Sequence, residues 1–458
     1  MTLGLSKTAT HKVAVLLLLL VGLTQVRCAS TGAATPSPLS NLPVLQGYTN
    51  SNSTQFSVLA PKGKKLRYFV RAESAENDFE VREIEVQRFE KDYSSWVVDR
   101  IWVSGLEVSR PYRLEIYDAF DTLIDAREFY ALDTTRPQVK FAAASCMDES
   151  FVLEQKQIWP ELLSRSPQML FFLGDNVYAS KTKGFFGHTN EKKIWGKYVH
   201  VRLQLEIFRS PKLIPTLAIW DDGDYGQNNG DRDSHVRRAA TEVFQIFYAQ
   251  EPDMKNLFSG PGVARWFKAF EMNFALMDNR SFRSPSSEKS PDEQTHWGFA
   301  QENWLHQNLK DSLLPTWILN GDQIFGGYHR FESYERERPD SLATQLKVLG
   351  SLPQPILFLT GDRHLTEVMK IDAAGTALPT FEITTSPLHA RTYPSHWEIA
   401  PNPNQVEGRV EKFNYMIIEA RNKGGSLSAN LTSYSLNSEI LFHRFISVEK
   451  TSKKLITK

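Results

Sequence analysis

The sequence predicts a layered α/β protein preceded by a smaller β-sandwich. Three observations carry this. Five short apolar runs each end abruptly in polar, chemically capable residues, helix-patterned segments lie between those runs, and residues 44–135 are dense in short alternating segments with few helix signals. With 458 residues, 41% of them hydrophobic, the chain can bury more than one core, so two domains are expected.

In the N-terminal part, Ser53 to Leu59, Leu66 to Arg71, Trp96 to Val103 and Tyr112 to Tyr117 alternate as half-buried strands do, and Pro61-Lys62-Gly63 and Ser104-Gly105 read as turns. A β-sandwich over 44–135 is expected. Val103-Ser104-Gly105-Leu106-Glu107 followed by Pro111 to Leu114 resembles a fibronectin type III strand pair.

From Gln138 onward the pattern changes. Val139 to Ala144 runs into Ser145-Cys146, Met169 to Leu173 into Gly174-Asp175, and Leu217 to Trp220 into Asp221-Asp222. Trp317 to Leu319 runs into Asn320-Gly321-Asp322, and Ile356 to Thr360 into Gly361-Asp362. Continuous apolar runs of this length suit strands buried on both faces. Helices are expected over Val152 to Leu163, Lys192 to Phe208, Val236 to Ala249, Gln301 to Leu309 and Leu342 to Leu349. Ligands of such folds gather at the carboxyl ends of strands, where all five polar clusters fall. The domain is expected over 136–445, with 446–458 as a charged, solvated tail.

Lys7, His11 and Lys12 lead into the apolar run Val13 to Val21, which reads as an export signal over 1–29; an uncleaved membrane anchor is the weaker alternative. Cleavage fits after Cys28 or after Ser30. Gln25, Val26 and Arg27 suit a lipoprotein signal poorly, so lipid at Cys28 is not expected. Residues 30–43, rich in Thr, Ala, Pro and Ser, read as a flexible spacer. The expected location is the periplasm, the cell surface or the medium, with no transmembrane helix in the mature chain.

Acidic and basic residues balance at 53 each, so no global field attracts nucleic acid or an anionic membrane. A phosphate would need positive charge concentrated locally. The absence of a Gly-x-Ser-x-Gly elbow and of a Walker glycine loop argues against a serine hydrolase and an NTPase.

The strand ends supply the chemistry. In Gly174-Asp175-Asn176-Val177-Tyr178, a carboxylate can bridge two cations, and a phenol three residues on can reach the same point. Asp221-Asp222, with Asn228 beyond, reads equally as an ion-wrapping loop or an acidic turn holding a structural calcium. Gly361-Asp362-Arg363-His364 offers two ligand types and an arginine for a phosphate. Asp278 to Arg283 carries two arginines, Arg280 and Arg283, that could pair with an acid or bind phosphate. Asp278 itself reads more readily as one member of a structural Asp–Arg pair.

In their order these motifs resemble the PhoD family of alkaline phosphatases and phosphodiesterases. Gly174 to Tyr178 is similar to its Gly-Asp-x-x-Tyr, and Trp220-Asp221-Asp222 to its Trp-Asp-Asp-His. Met277 to Arg283 is similar to its Leu-Asp-x-Arg-x-x-Arg, Gly361 to His364 to its Gly-Asp-x-His, and Phe381 to Pro387 to the stretch after it. The resemblance implies a calcineurin-like αββα sandwich and hydrolysis of phosphate monoesters or diesters. By the same resemblance iron (Fe3+) would sit on Cys146, Asp175, Tyr178 and His364 or Asp362. Calcium would be bridged by Asp175 and held by Asp222, Asn228 and Asp362, with other divalent metals as alternatives. A monomer acting on a phosphate ester is expected.

One position departs from the pattern. Gly223 stands where the family has a histidine near the leaving group. Glycine cannot donate a proton, and losing such a donor costs roughly 10²–10⁴-fold in rate. Asp224, His188, His235 or His329 are the substitutes the sequence offers, with Arg363 and Arg280 as phosphate-binding candidates. Two further readings follow: a catalytically weakened metal-binding surface or adhesion protein, and a phospholipase-like phosphodiesterase. Restoring a histidine at 223 should raise the rate if the missing imidazole matters.

Overall fold

A computed structural model describes residues 42–72, 79–81, 83–181, 189–372, 378–393, 399–450 and 454–458. The expected signal, Cys28, nearly all of the spacer and His188 lie outside the described residues.

Eight strands come first: β1 (Val44–Thr49), β2 (Thr54–Pro61), β3 (Arg67–Ala72), β4 (Phe79–Val81), β5 (Ile84–Phe89), β6 (Trp96–Val103), β7 (Pro111–Tyr117) and β8 (Leu123–Tyr130). They form two antiparallel sheets, ordered β1-β2-β6-β5 and β4-β3-β7-β8. Phe56, Val70, Ile101, Leu114 and Phe129 belong to the core these strands bury. Contact with the following layers is close. Leu45, Leu59 and Val98 join the next core, and Arg100 Nη1 donates to the Gln245 carbonyl at 2.7 Å. Leu39–Lys458 accordingly makes one compact unit, so residue 135 marks a change of topology inside it.

The layered part holds β9 (Gln138–Ala144), β10 (Met169–Leu173), β11 (Thr216–Ile219), β12 (Leu257–Ser259), β13 (Arg265–Ala269), β14 (Met272–Leu276), β15 (Thr316–Asn320), β16 (Ile356–Thr360), β17 (Thr366–Ile371) and β18 (Thr380–Thr384). It closes with β19 (Gln405–Val410), β20 (Tyr415–Lys423), β21 (Ser426–Tyr434), β22 (Ile440–Val448) and β23 (Leu455–Thr457). The helices are α1 (Val152–Ser164), α2 (Glu191–Gln204), α3 (Asp222–Tyr225), α4 (Arg237–Phe247), α5 (Phe299–Asp311), α6 (Tyr334–Glu337) and α7 (Pro339–Ser351). One sheet runs β11-β10-β9-β20-β21-β22-β23, the other β12-β13-β14-β15-β16-β18-β17-β19.

Strand alternation explains the layers. Phe141, Phe171, Trp317 and Leu359 meet in a core shared by both sheets. Their neighbours point the other way: Ala142, Leu170 and Phe172 toward α1, α2 and α4, and Ile318 and Phe358 toward α5 and α7. The helix α4 buries Ala240, Val243, Phe244 and Phe247, the i, i+3, i+4, i+7 stripe of one face. The result is the expected layered α/β sandwich. Parallel pairing aligns β9 with β10 and β11, and β14 with β15 and β16, so the polar ends of those strands emerge on one side of each sheet.

Two elements differ from expectation. The helix expected from Lys192 to Phe208 breaks at Leu205, whose backbone is extended. Gln155 of α1 holds the break: its amide donates to the Gln204 carbonyl at 3.2 Å and accepts Glu206 N–H at 3.1 Å. The expected solvated tail is instead part of a sheet. Ile446 and Val448 are buried core residues of β22, and Leu455 to Thr457 pair antiparallel with them. The apolar pair Leu455-Ile456 drives this addition despite the preceding lysines.

Candidate metal centre

Cys146, Asp175, Asp362 and His364 all adopt left-handed backbone, with φ of 60°, 52°, 62° and 53°. Side-chain-bearing residues rarely take this conformation, and strain of this kind concentrates at functional sites. The turn at Gly174 (φ 86°) carries the chain past Asp221, whose Cβ would overlap any side chain there.

These turns bring ligand atoms together. Donor atoms of Cys146, Asp175 and His364 all lie within 4.8 Å of one another, as do those of Asp175, Asp221 and Asp222. Asp175 belongs to both groups, the geometry a bridging carboxylate needs. Tyr178 OH lies 3.3 Å from His364 Nε2. The His364 Nδ1 side faces the Arg391 carbonyl, so Nδ1–H donates and Nε2 is left as a ligating atom. The Ser386 hydroxyl accepts His364 N–H at 3.0 Å and donates to Cys146 Sγ at 3.1 Å, fixing both.

Burial pushes the Cys146 thiol, the Asp175 carboxyl and the Tyr178 phenol upward, and neighbouring acidic groups push each the same way. Asp362 is raised to about 6, chiefly by burial. Burial holds His364 down at about 4, so its imidazole is neutral at ordinary pH and competent as a ligand. Crowded, desolvated acids are unfavourable as anions by themselves, and a bound cation reverses that sign. Asp221 Oδ2 is buried and has no hydrogen-bond partner among the described residues. Thiol, phenol, imidazole and carboxylate suit iron, while carboxylates and an amide oxygen suit calcium, so the donor set could hold both.

The cluster forms the floor of a cavity of about 860 Å³. Asp175, Tyr178, Asp222, Asn228, Asp362, Arg363 and His364 line it. Cys146 lies just beneath, fully buried. Asn228 is exposed and sits beside Asp222 at the rim.

Two expected catalytic groups are elsewhere. Asp224 is fully buried and accepts the backbone N–H groups of Asp221, Asn176 and Val177 at 3.1, 3.2 and 3.0 Å. It does not line the cavity, because its oxygens are spent on the N-cap amide of α3 and on two amides of the loop after β10. Arg280 is also fully buried: its Nε donates to Asp221 Oδ1 at 2.6 Å and its Nη1 to Glu332 Oε1 at 2.8 Å. Buried acids hold it behind the site, so it positions Asp221 and does not reach the cavity. Arg283 likewise pairs with Asp322 and Glu332. Asp278 accepts Trp220 Nε1–H at 2.8 Å along with backbone amides, where an arginine partner was expected. His235 bonds the Thr189 carbonyl and His329 bonds Gln323, and neither lines the cavity.

Sequence reasoning missed Asp221 as a possible ligand and Ser386 and Arg280 as positioning residues. The doubled aspartate was visible, but which of the two faces Asp175 depends on the turn into α3. Ser386 lay in a noted motif with no sign of its contact to Cys146.

The fold and this convergence of strand ends define a phosphoesterase-type layered sandwich. A family model for the PhoD-like phosphatases matches residues 141–439, and the chain belongs to that family, which makes it a phosphatase in general class. The solved structure titled "Structure of PhoD" is similar in fold, with a TM-score of 0.68 and 16% identity over 92% of this chain and 93% of that one. A structure of astrotactin-2, a perforin-like vertebrate membrane protein, overlaps 35% of this chain and 28% of its own at 10% identity and a TM-score of 0.17, too little to bear on the fold. No curated protein matches the chain. Among the described residues, no helix is long and apolar enough to cross a membrane.

Proposed function

We propose that this chain is an exported, metal-dependent hydrolase of phosphate monoesters or diesters. The reading rests on one observation: ligand-competent side chains in left-handed turns converge on the floor of a cavity that also presents Arg363. Iron would be held by Cys146, Asp175, Tyr178 and His364, and calcium by Asp175, Asp222, Asn228 and Asp362, with Asp221 as a further candidate ligand. When bound, such cations supply charge to neutralise phosphoryl oxygens and to acidify water.

The chain's own residues do the rest. Arg363, stacked 4.4 Å from the Phe331 ring centroid, presents a planar donor fork to the phosphate. Ser386 holds the thiol and the imidazole in place. Lys181, paired with Asp148 at 2.6 Å and lying over the Tyr178 ring, adds positive charge at the wall. With glycine at 223, where the family has a histidine, substrates whose leaving group departs without a proton are favoured. The sequence signal at residues 1–29 is the support for export.

The test is turnover of activated aryl phosphate mono- and diesters by the purified chain, with metal analysis and a visible spectrum. Turnover with bound metal and a phenolate–iron band supports the hydrolase. The band without turnover supports the weakened metal-binding protein, and a chain with no bound iron or calcium refutes the metal-dependent reading.

A further inference from the structure

The cavity is larger than a single phosphoryl group needs; small-molecule sites typically run from about 300 to 1,000 Å³ and enclose a whole ligand. Its outer wall is unlike its floor. Arg330, Arg336 and Arg391 line it, all exposed, and none makes an ion pair with a described residue. The two glutamates of the same wall do not neutralise them. Glu332 is taken by Arg280 at 2.8 Å and by Arg283, and Glu337 by Arg338 at 3.0 Å. Those partners are buried arginines behind the cavity. In a chain with equal numbers of acidic and basic residues, three guanidinium groups that line one cavity and make no ion pair with a described residue are a local concentration of positive charge.

Two exposed rings, Phe331 and Tyr393, line the same cavity. Arg330 lies 5.4 Å and Arg363 4.4 Å from the Phe331 centroid, and Arg391 5.3 Å from that of Tyr393. Stacking against a ring limits the motion of a guanidinium while leaving its N–H edges available. The wall therefore combines flat apolar faces with anion-binding forks.

We infer that Arg330, Arg336 and Arg391 form a second anion subsite, so that the preferred substrate is a phosphoester carrying another phosphate on the same molecule. The inference rests on the hydrolase reading for what happens at the floor, but the subsite itself is a matter of binding.

Binding is therefore the measurement. The purified full chain is titrated calorimetrically with propylphosphonate and with α,ω-alkane bisphosphonates of three to six carbons, none of which can be hydrolysed as an ester. At low salt at least one bisphosphonate should bind about tenfold more tightly than the monophosphonate, and the ratio should fall as salt is added. The double variant Arg330→Gln/Arg391→Gln should bring the ratio below about threefold. Arg421→Gln should keep it, because Arg421 is exposed and pairs in register with Gln138, at the end of β9 opposite Cys146. Equal affinities across the series, or a ratio that survives the double variant, overturns the subsite. Aryl phosphate turnover is read separately: turnover without bisphosphonate preference overturns the subsite alone, while preference without turnover supports the subsite and overturns the hydrolase reading alone.

Discussion

The backbone N–H of Gly223 donates to Asp175 Oδ1 at 2.9 Å, and a Cβ added at residue 223 would overlap that oxygen and lie 3.2 Å from Asp175 Cγ. The glycine is thus packed against the carboxylate that joins the two ligand groups. Of the two outcomes open to a histidine at 223, this packing favours a loss over the gain that would show the missing imidazole matters. Gly223→Ala should displace Asp175, lower metal content and cost roughly a hundredfold in kcat/KM, as small misplacements at a reacting centre do. Gly223→His should lose activity in the same direction. A gain with histidine would contradict this packing argument.

Tyr178→Phe removes the one phenol of the cluster and its contact to His364 Nε2. The variant should fold, because the ring still fills its buried place. Its visible band should vanish and its iron content fall, while calcium is retained. An unchanged spectrum would remove Tyr178 from the ligand set.

Arg280→Met leaves Asp221 without its buried guanidinium partner and Glu332 with Arg283 alone. Breaking a buried pair from one side costs roughly 3–5 kcal/mol, because an uncompensated charge stays behind. Denaturant unfolding should show a loss of that size, together with weaker metal binding through the displaced Asp221. A loss below ~1 kcal/mol would mean the pair is not held as described.

Burial keeps the His389 imidazole at about 4, against an ordinary 6.5, with its Nδ1–H given to the Asp148 carbonyl at 3.1 Å. Its folded pKa is depressed, so the stability it carries is present above pH 6.5 and is lost as pH falls toward 4. In that window the unfolded chain takes up a proton that the folded chain does not. The whole interval corresponds to about 3 kcal/mol. His389→Gln should flatten the fall of Tm with pH between 6.5 and 4, and an unchanged slope would place the effect on other groups.

Much of the fold was legible because its signals are local. Runs such as Met169 to Leu173 are short, fully apolar and bounded by turns, a pattern that suits a strand buried on both faces and is too short for a helix. The break at Leu205 was not legible, because the groups that stabilise it belong to Gln155, fifty residues earlier in the chain. The strand Leu455–Thr457 was hidden by its charged neighbours, since pairing with β22 is a property of the sheet edge.

The same division holds for the site. Placement at strand ends together with the ordered motifs that resemble the family marked Cys146, Asp175, Tyr178, Asp222, Asp362 and His364; each motif by itself reads as readily as a structural turn. Which groups face the cavity was decided only by tertiary structure. Asp224 and Arg280 carry suitable chemistry, yet one is consumed by backbone amides and the other by buried acids. Gly223 has no chemistry of its own and still governs the centre, because the space it leaves is filled by Asp175. Sequence specifies which functional groups are available; packing and hydrogen-bond competition determine which of them remain free to act.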